Sequence, residues 1–227
     1  MSSHPLDRPV WSCLTGAQAY LAQGGEAAVR IDPAYGPFAA ARDAGDESQA
    51  ALATLVLGPD DEIAIVEPEA WPVPTGLRLE RSGELLQMVV RQPALGGDDP
   101  RVELLGEDDA PAMTALALAT EPGPWGQLTH RYGDFFGIRI DGRLAAMAGE
   151  RMRPDGYAEV SGVCTWPEFR GQGLAAALIH RVMRGMLARG EVPYLHSYAH
   201  NTGAIRIYEA LGFRARRTMA LTVLVRA

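Results

Sequence analysis

Apolar side chains recur at helical spacing from Leu174 to Arg189, with Leu174, Leu178, Ile179, Val182, Met183 and Met186 on one face. This stretch is expected to be the chain's principal helix. Weaker periodicity predicts helices over Ser48 to Leu57 and Pro111 to Ala119, and another starting near Thr15. Alternating and β-branched runs predict strands at Val29 to Ile31, Glu62 to Val66, Leu85 to Val90, Arg101 to Leu105, Phe135 to Ile140, Leu144 to Glu150, Ala158 to Cys164, Tyr194 to Tyr198 and Met219 to Val225. Asp141-Gly142 reads as a tight hairpin turn and Pro154-Asp155-Gly156 as a second turn. An antiparallel meander is therefore expected just before the long helix.

The segment from Gln92 to Pro100 combines Pro, Gly and Asp with little to bury, which is the pattern of a linker. The expected organisation is an N-terminal domain over 1–92, smaller and of mixed α/β character, and a second domain over 101–227. No repeat or low-complexity tract stands out.

Composition narrows the function classes. With 47% hydrophobic and 22% charged residues, the chain reads as a soluble globular protein with material for one large or two small cores. No apolar run approaches the roughly 20 residues of a membrane helix, and Met1 to Arg8 lacks a hydrophobic signal core. The expected location is the cytoplasm, with no membrane partner. A net charge of −7 argues against nucleic acid. The charge is uneven, however: from Trp166 to Ala227 nine arginines stand against Glu168, Glu191 and Glu209, a balance that suits a small polyanion as well as a chance surface excess. The chain contains no lysine, so lysine catalysis is excluded. Cys13 and Cys164 have neither metal-ligand nor redox spacing and read as small buried hydrophobes; no metal site is expected.

The most informative stretch is Val160 to Ala175: a strand, then Thr165-Trp166-Pro167-Glu168-Phe169-Arg170-Gly171-Gln172-Gly173, then the start of the long helix. Glycines let backbone N–H groups approach a phosphate, and a helix N-terminus adds about half a positive charge. Gly171 and Gly173 could also shape a plain tight turn. A nucleoside triphosphate loop needs a lysine and is excluded. A dinucleotide loop fits Gly171, Gly173 and Ala176, but the next strand, Tyr194 to Tyr198, ends without the acidic ribose ligand.

Arg170-x-x-Gly173-x-Ala175 resembles the acyl-coenzyme A loop of the GNAT superfamily of N-acetyltransferases, whose signature is Arg or Gln, two residues, Gly, one residue, then Gly or Ala. The resemblance continues through Asn201, a short helix over Ala204 to Ala210 carrying Tyr208, and Leu211-Gly212-Phe213 before a last strand, and covers about residues 101–227. Val160 to Phe213 is most similar to the branch that includes glycine N-acyltransferase-like proteins, in which a degenerate domain precedes the catalytic one. The resemblance implies an α/β fold of the α+β type, a mixed, mostly antiparallel twisted sheet flanked by helices. It also implies acetyl-CoA as cosubstrate, no metal, and an amine of a small molecule, amino acid or peptide as acceptor. A homodimer stays open, as does a non-catalytic acyl-CoA-binding or sensing role.

Site residues follow from the same resemblance. Val163, Cys164 and Thr165 would run beside the pantetheine arm, with the Val163 N–H as oxyanion donor. Arg170, Gly171, Gln172, Gly173, Leu174 and Ala175 would hold the pyrophosphate. Asn201 would bond the pantetheine, or else cap the following helix. Tyr208 would be the acid that protonates the departing thiolate, or else one more half-buried aromatic. Strand parity makes Glu159 the first choice of base, beside an idle strand glutamate and beside His196 or Glu150 acting through water. Acceptor recognition is expected around Glu121 to Gln127 and His130 to Phe136, where Trp125, Tyr132, Phe135 and Trp166 would line the site or simply form core.

Overall fold

The computed structural model describes residues 4–227. In chain order it forms α1 (Pro9–Leu14), β1 (Ala22–Gly24), β2 (Ala28–Ile31), β3 (Ala39–Ala41), α2 (Asp46–Thr54), β4 (Glu62–Glu67), β5 (Leu77–Val90) and β6 (Val102–Leu105). There follow α3 (Ala110–Thr120), β7 (Phe135–Ile140), β8 (Arg143–Glu150), β9 (Tyr157–Thr165), α4 (Leu174–Ala188), β10 (Val192–Tyr198), α5 (Thr202–Ala210) and β11 (Phe213–Arg226). Short 3₁₀ turns punctuate the loops. The helix expected from Thr15 instead ends there: α1 is led by Pro9, and Pro pre-sets the first helical φ.

Eight strands form one sheet in the order β4-β11-β5-β10-β9-β8-β7-β6, and β1, β2 and β3 form a separate small sheet. β7, β8 and β9 are the expected meander, joined by the turn at Asp141-Gly142 and by the turn closed by Tyr157 N–H donating to Pro154 O. The large sheet ignores the linker. β5, from before it, pairs antiparallel with β10 on one side and β11 on the other, and β4 pairs with β11. The expected boundary at 92–101 is thus no boundary in the sheet, because strands from both sides of it share backbone hydrogen bonds.

Among the described residues β9 and β10 are the one parallel pair in the large sheet, and they touch only from Tyr157–Glu159 against Val192–Tyr194. Past Tyr194, β10 continues along β5 while β9 continues along β8. The sheet therefore opens like a V between its two halves. On one face α4 lays Leu178, Ile179, Val182, Met183 and Met186, all fully buried, against β7, β8 and β9. Burial of each such side chain contributes about 1.5–3 kcal/mol. On the other face α3 buries Met113, Leu116 and Ala117 against Phe135, Met147 and Cys164. The N-terminal layer packs Val10, Cys13 and Leu14 with Phe38 and with Met219, Leu221 and Val223 of β11. Among the described residues no helix is long and apolar enough to cross a membrane.

Candidate active-site cleft

The opening between β9 and β10 is a cleft of about 1070 Å³. Its first wall is the free side of β9. Trp166 N–H bonds back to Ala145 of β8, so strand alternation turns the N–H groups of Val163 and Thr165 away from β8, toward the side where β10 has left. A bulge sharpens the divergence: the β8–β9 register slips between Met147 and Gly149, opposite Gly162, whose φ is +60°. A Cβ at residue 162 would sit 2.8 Å from Phe135 Cε1, so only glycine fits this close approach. The bulge escaped the sequence reading, although a glycine inside a strand pattern is its usual signal.

The loop after β9 leads directly into α4. Gly171 and Gly173 have φ of +78° and +76°, with no atom within 4 Å of the place a Cβ would occupy. Gly173 caps α4 without any side-chain hydrogen bond, and the N–H groups of the first turn, at Leu174, Ala175 and Ala176, have no intrahelical partner. These donors and the positive end of the helix dipole border the cleft. The Arg170 side chain is exposed and folds over its own loop, Nε donating to Thr165 O at 3.3 Å. Gln172 is exposed as well and does not line the cleft.

Across the opening, α5 presents Asn201, Ala204, Ile207 and Tyr208. Asn201 is the N-cap of α5, its Oδ1 accepting from Ala204 N–H at 3.2 Å. Tyr208 packs edge-on against Phe213, and burial pushes its phenol up to about 12, so it is neutral near pH 7. It therefore shares the cleft with Val163, Thr165 and the glycine loop.

Glu159 departs from expectation. It is fully buried and does not line the cleft. Arg151 Nε and Nη2 clamp its two carboxylate oxygens at 2.8 Å each, and His196 Nδ1 lies 2.8 Å from Oε1. Burial alone would raise its pKa, but the Arg151 charge and these hydrogen bonds outweigh it and hold the carboxyl below the ordinary carboxylate range. A carboxylate so placed is an ion-pair partner and not an available base. Glu150 is also buried and is bound by Arg189 Nη2 at 2.8 Å.

Comparison with known proteins agrees with this geometry. The chain shares 60% identity and a TM-score of 0.94 with a structure from Novosphingobium aromaticivorans DSM 12444 described as an acetyltransferase of the GNAT family, over 99% of this chain and 100% of that one. The chain belongs to the GNAT family. Residues 135–221 of this GNAT chain match the FR47-like protein family. A GCN5-related N-acetyltransferase from Kribbella flavida, 21% identical, shares the fold with a TM-score of 0.58 over 90% of this chain and 88% of that one. One from Sphaerobacter thermophilus, 14% identical, does so with a TM-score of 0.55 over 100% of this chain and 95% of that one. No curated protein sequence matches the chain.

In this GNAT chain the cleft continues beyond the β9 edge into a second half walled by the N-terminal layer. Val10, Phe38, Leu85 and Leu221 line it, together with Arg151, Met152 and His196. From the expected acceptor region, Glu121 to Pro124 do reach the cleft. The four aromatics do not: Trp125 stacks edge-on against Phe135, Tyr132 is buried, and Trp166 lies beneath Arg143. They are packing residues. The N-terminal wall was missed because its apolar positions look like ordinary core until β5 is known to enter the large sheet. Among the described residues no group of three or more His, Cys, Asp or Glu is placed to hold a metal ion.

Proposed function

We propose that the protein is an acetyl-CoA-dependent N-acetyltransferase that acetylates a primary amine by direct attack. The observation that carries this reading is the continuity of one cleft. The unpaired edge of β9 runs into the uncapped start of α4, with a neutral phenol opposite. Pantetheine would lie along β9 as an extra strand-like partner, bonding the N–H groups left free there. The pyrophosphate would sit on the amides of Gly171 to Ala175, with Arg170 swinging from Thr165 to join it. Asn201 would offer its Nδ2 to the pantetheine while Oδ1 keeps the cap.

In the reaction the amine nitrogen attacks the thioester carbon while the Val163 N–H bonds the oxygen on which charge develops. The C–S bond then breaks, and the thiolate takes the proton of Tyr208, which is restored from solvent. The amine proton leaves to water. Glu159 and Glu150 are both held by arginines, and His196 has a partner at each ring nitrogen.

The test is thermal unfolding with acetyl-CoA, coenzyme A or NAD, for the parent and for Gly173→Asp, which adds a negative charge and a Cβ at positive φ. A ligand at a hundred times its Kd adds roughly 2.7 kcal/mol, or several degrees. Stabilisation of the parent alone, by acetyl-CoA and not NAD, is the expected result. Stabilisation by NAD only would overturn the reading.

A further inference from the structure

A directed chain of hydrogen bonds runs through the protein and ends in the acceptor half of the cleft. Arg216, which can only donate, gives Nη2 to Asp7 Oδ1 at 2.6 Å and Nη1 to Gln87 Oε1 at 2.8 Å. That fixes the orientation of the fully buried Gln87 amide, so its Nε2 donates to Leu6 O at 2.9 Å and to His196 Nε2 at 3.1 Å. His196 Nε2 is then an acceptor, and the ring proton belongs on Nδ1, which donates to Glu159. Glu159 in turn receives Nε and Nη2 of Arg151.

Each link is satisfied, and the last group is not. Among the described residues Arg151 Nη1 has no protein partner, yet it is not a buried atom; the side chain keeps 12% of its surface, in the cleft. The ring of Phe38 covers the guanidinium at 4.7 Å, so its plane is held from above while Glu159 holds one edge. Val10, Phe38, Leu85 and Met152 pack in one apolar cluster that lines the same cleft, alongside the polar Ser197 and the charged Glu62 and Arg81. A preorganised guanidinium edge beside an apolar cluster is a receptor for a planar anion.

Reach sets the length of the acceptor. Glu159 lies four residues before Val163, at most about 13 Å along a strand that rises about 3.3 Å per residue, shortened by the bulge at Gly162. An α-amino acid, whose amine and carboxylate share one carbon, cannot lie at both ends.

We infer that Arg151 is a specificity-determining residue that anchors a carboxylate of the acceptor, and that the acceptor is an extended amine with its carboxylate several bonds from the attacking nitrogen. This rests on the acetyltransferase reading above. Acetylation of glycine, 4-aminobutyrate and 6-aminohexanoate is compared with that of the carboxamide of each, using acetyl-CoA and the parent enzyme. The expected result is a kcat/KM for 6-aminohexanoate about tenfold or more above its carboxamide, in line with a charge-assisted hydrogen bond replaced by a neutral one, and above that of glycine. The double variant R151M/E159Q removes both buried charges together, so neither is left alone, and should bring the carboxylate-to-carboxamide ratio toward one. Carboxamides acetylated as well as the acids, or glycine as the best substrate, would overturn the inference while leaving the acetyltransferase reading intact. Loss of the preference in the variant supports it, and retention overturns it. If the variant does not fold, the parent series decides. If acetyl-CoA neither stabilises the protein nor is consumed with any amine, the acetyltransferase reading fails, and the inference with it.

Discussion

The ring of Phe135 occupies the space that a side chain at residue 162 would need, with Phe135 Cε1 2.8 Å from the position of a Cβ on Gly162. The β9 wall of the cleft is thereby held in the bulge that parts it from β10. Gly162→Ala must move the ring and also adopt φ near +60°, at a cost of about 1–3 kcal/mol. The expected outcome is a Tm lowered by several degrees and weaker acetyl-CoA binding, read by calorimetry. Unchanged binding would mean that the bulge does not shape the pantetheine edge.

Tyr208→Phe removes the phenol proton and keeps the ring that packs on Phe213. Turnover should fall about 10²–10⁴-fold, the usual worth of a positioned acid, while acetyl-CoA binds as before. Pre-steady-state kinetics that show chemistry to be rate-limiting, with turnover unaltered in the variant, would remove Tyr208 from the mechanism.

Glu159 ties pH to stability. Its folded pKa lies below the unfolded value, so its contribution is complete above the ordinary carboxylate range and is lost as pH falls through the folded value. Glu159→Gln leaves Arg151 buried without its counter-charge, which should cost about 3–5 kcal/mol at pH 7. Denaturant titrations of parent and variant at descending pH should converge in the acid range. A gap that stays constant down to the acid limit would show that the pair contributes no pH-dependent stability.

Without an available enzymic base, kcat/KM should rise with pH along with the unprotonated fraction of the amine. The rise should shift to higher pH for amines of higher pKa. A profile that stays the same for every amine would instead show that a group of the protein takes the proton, against the bonds that occupy Glu159, Glu150 and both ring nitrogens of His196.

The legible part of the fold was what depends on local period and local turns: α4, the β7–β9 meander and the glycine loop were all expected from side-chain pattern. Glu159 shows the limit. Parity put it on one face with Tyr157, Ser161 and Val163, an alternation that the bulge at Gly162 interrupts, and the partner that immobilises it, Arg151, lies on the segment after β8 and carries no pattern of its own. The first half of β5, Leu77 to Glu84, was missed because its side chains are mostly exposed and charged; backbone pairing with β11, not burial, makes it a strand. Gln87 and Phe38 acquire meaning only when chain from before the linker enters the sheet, a long-range pairing that no local window contains.

That pairing orders events in time. β5 leaves the ribosome well before β10 and β11, the two strands that flank it. Its amides and carbonyls find no strand partner on either side until β10 and β11 have been made. The part of the cleft lined by Leu85, Leu221 and Val223 and the bond between Gln87 and His196 cannot form before that pairing, however complete the glycine loop. A chain lacking β11 would keep the glycine loop and α4 and lose the strand that joins β4 to β5 and lines the far half of the cleft.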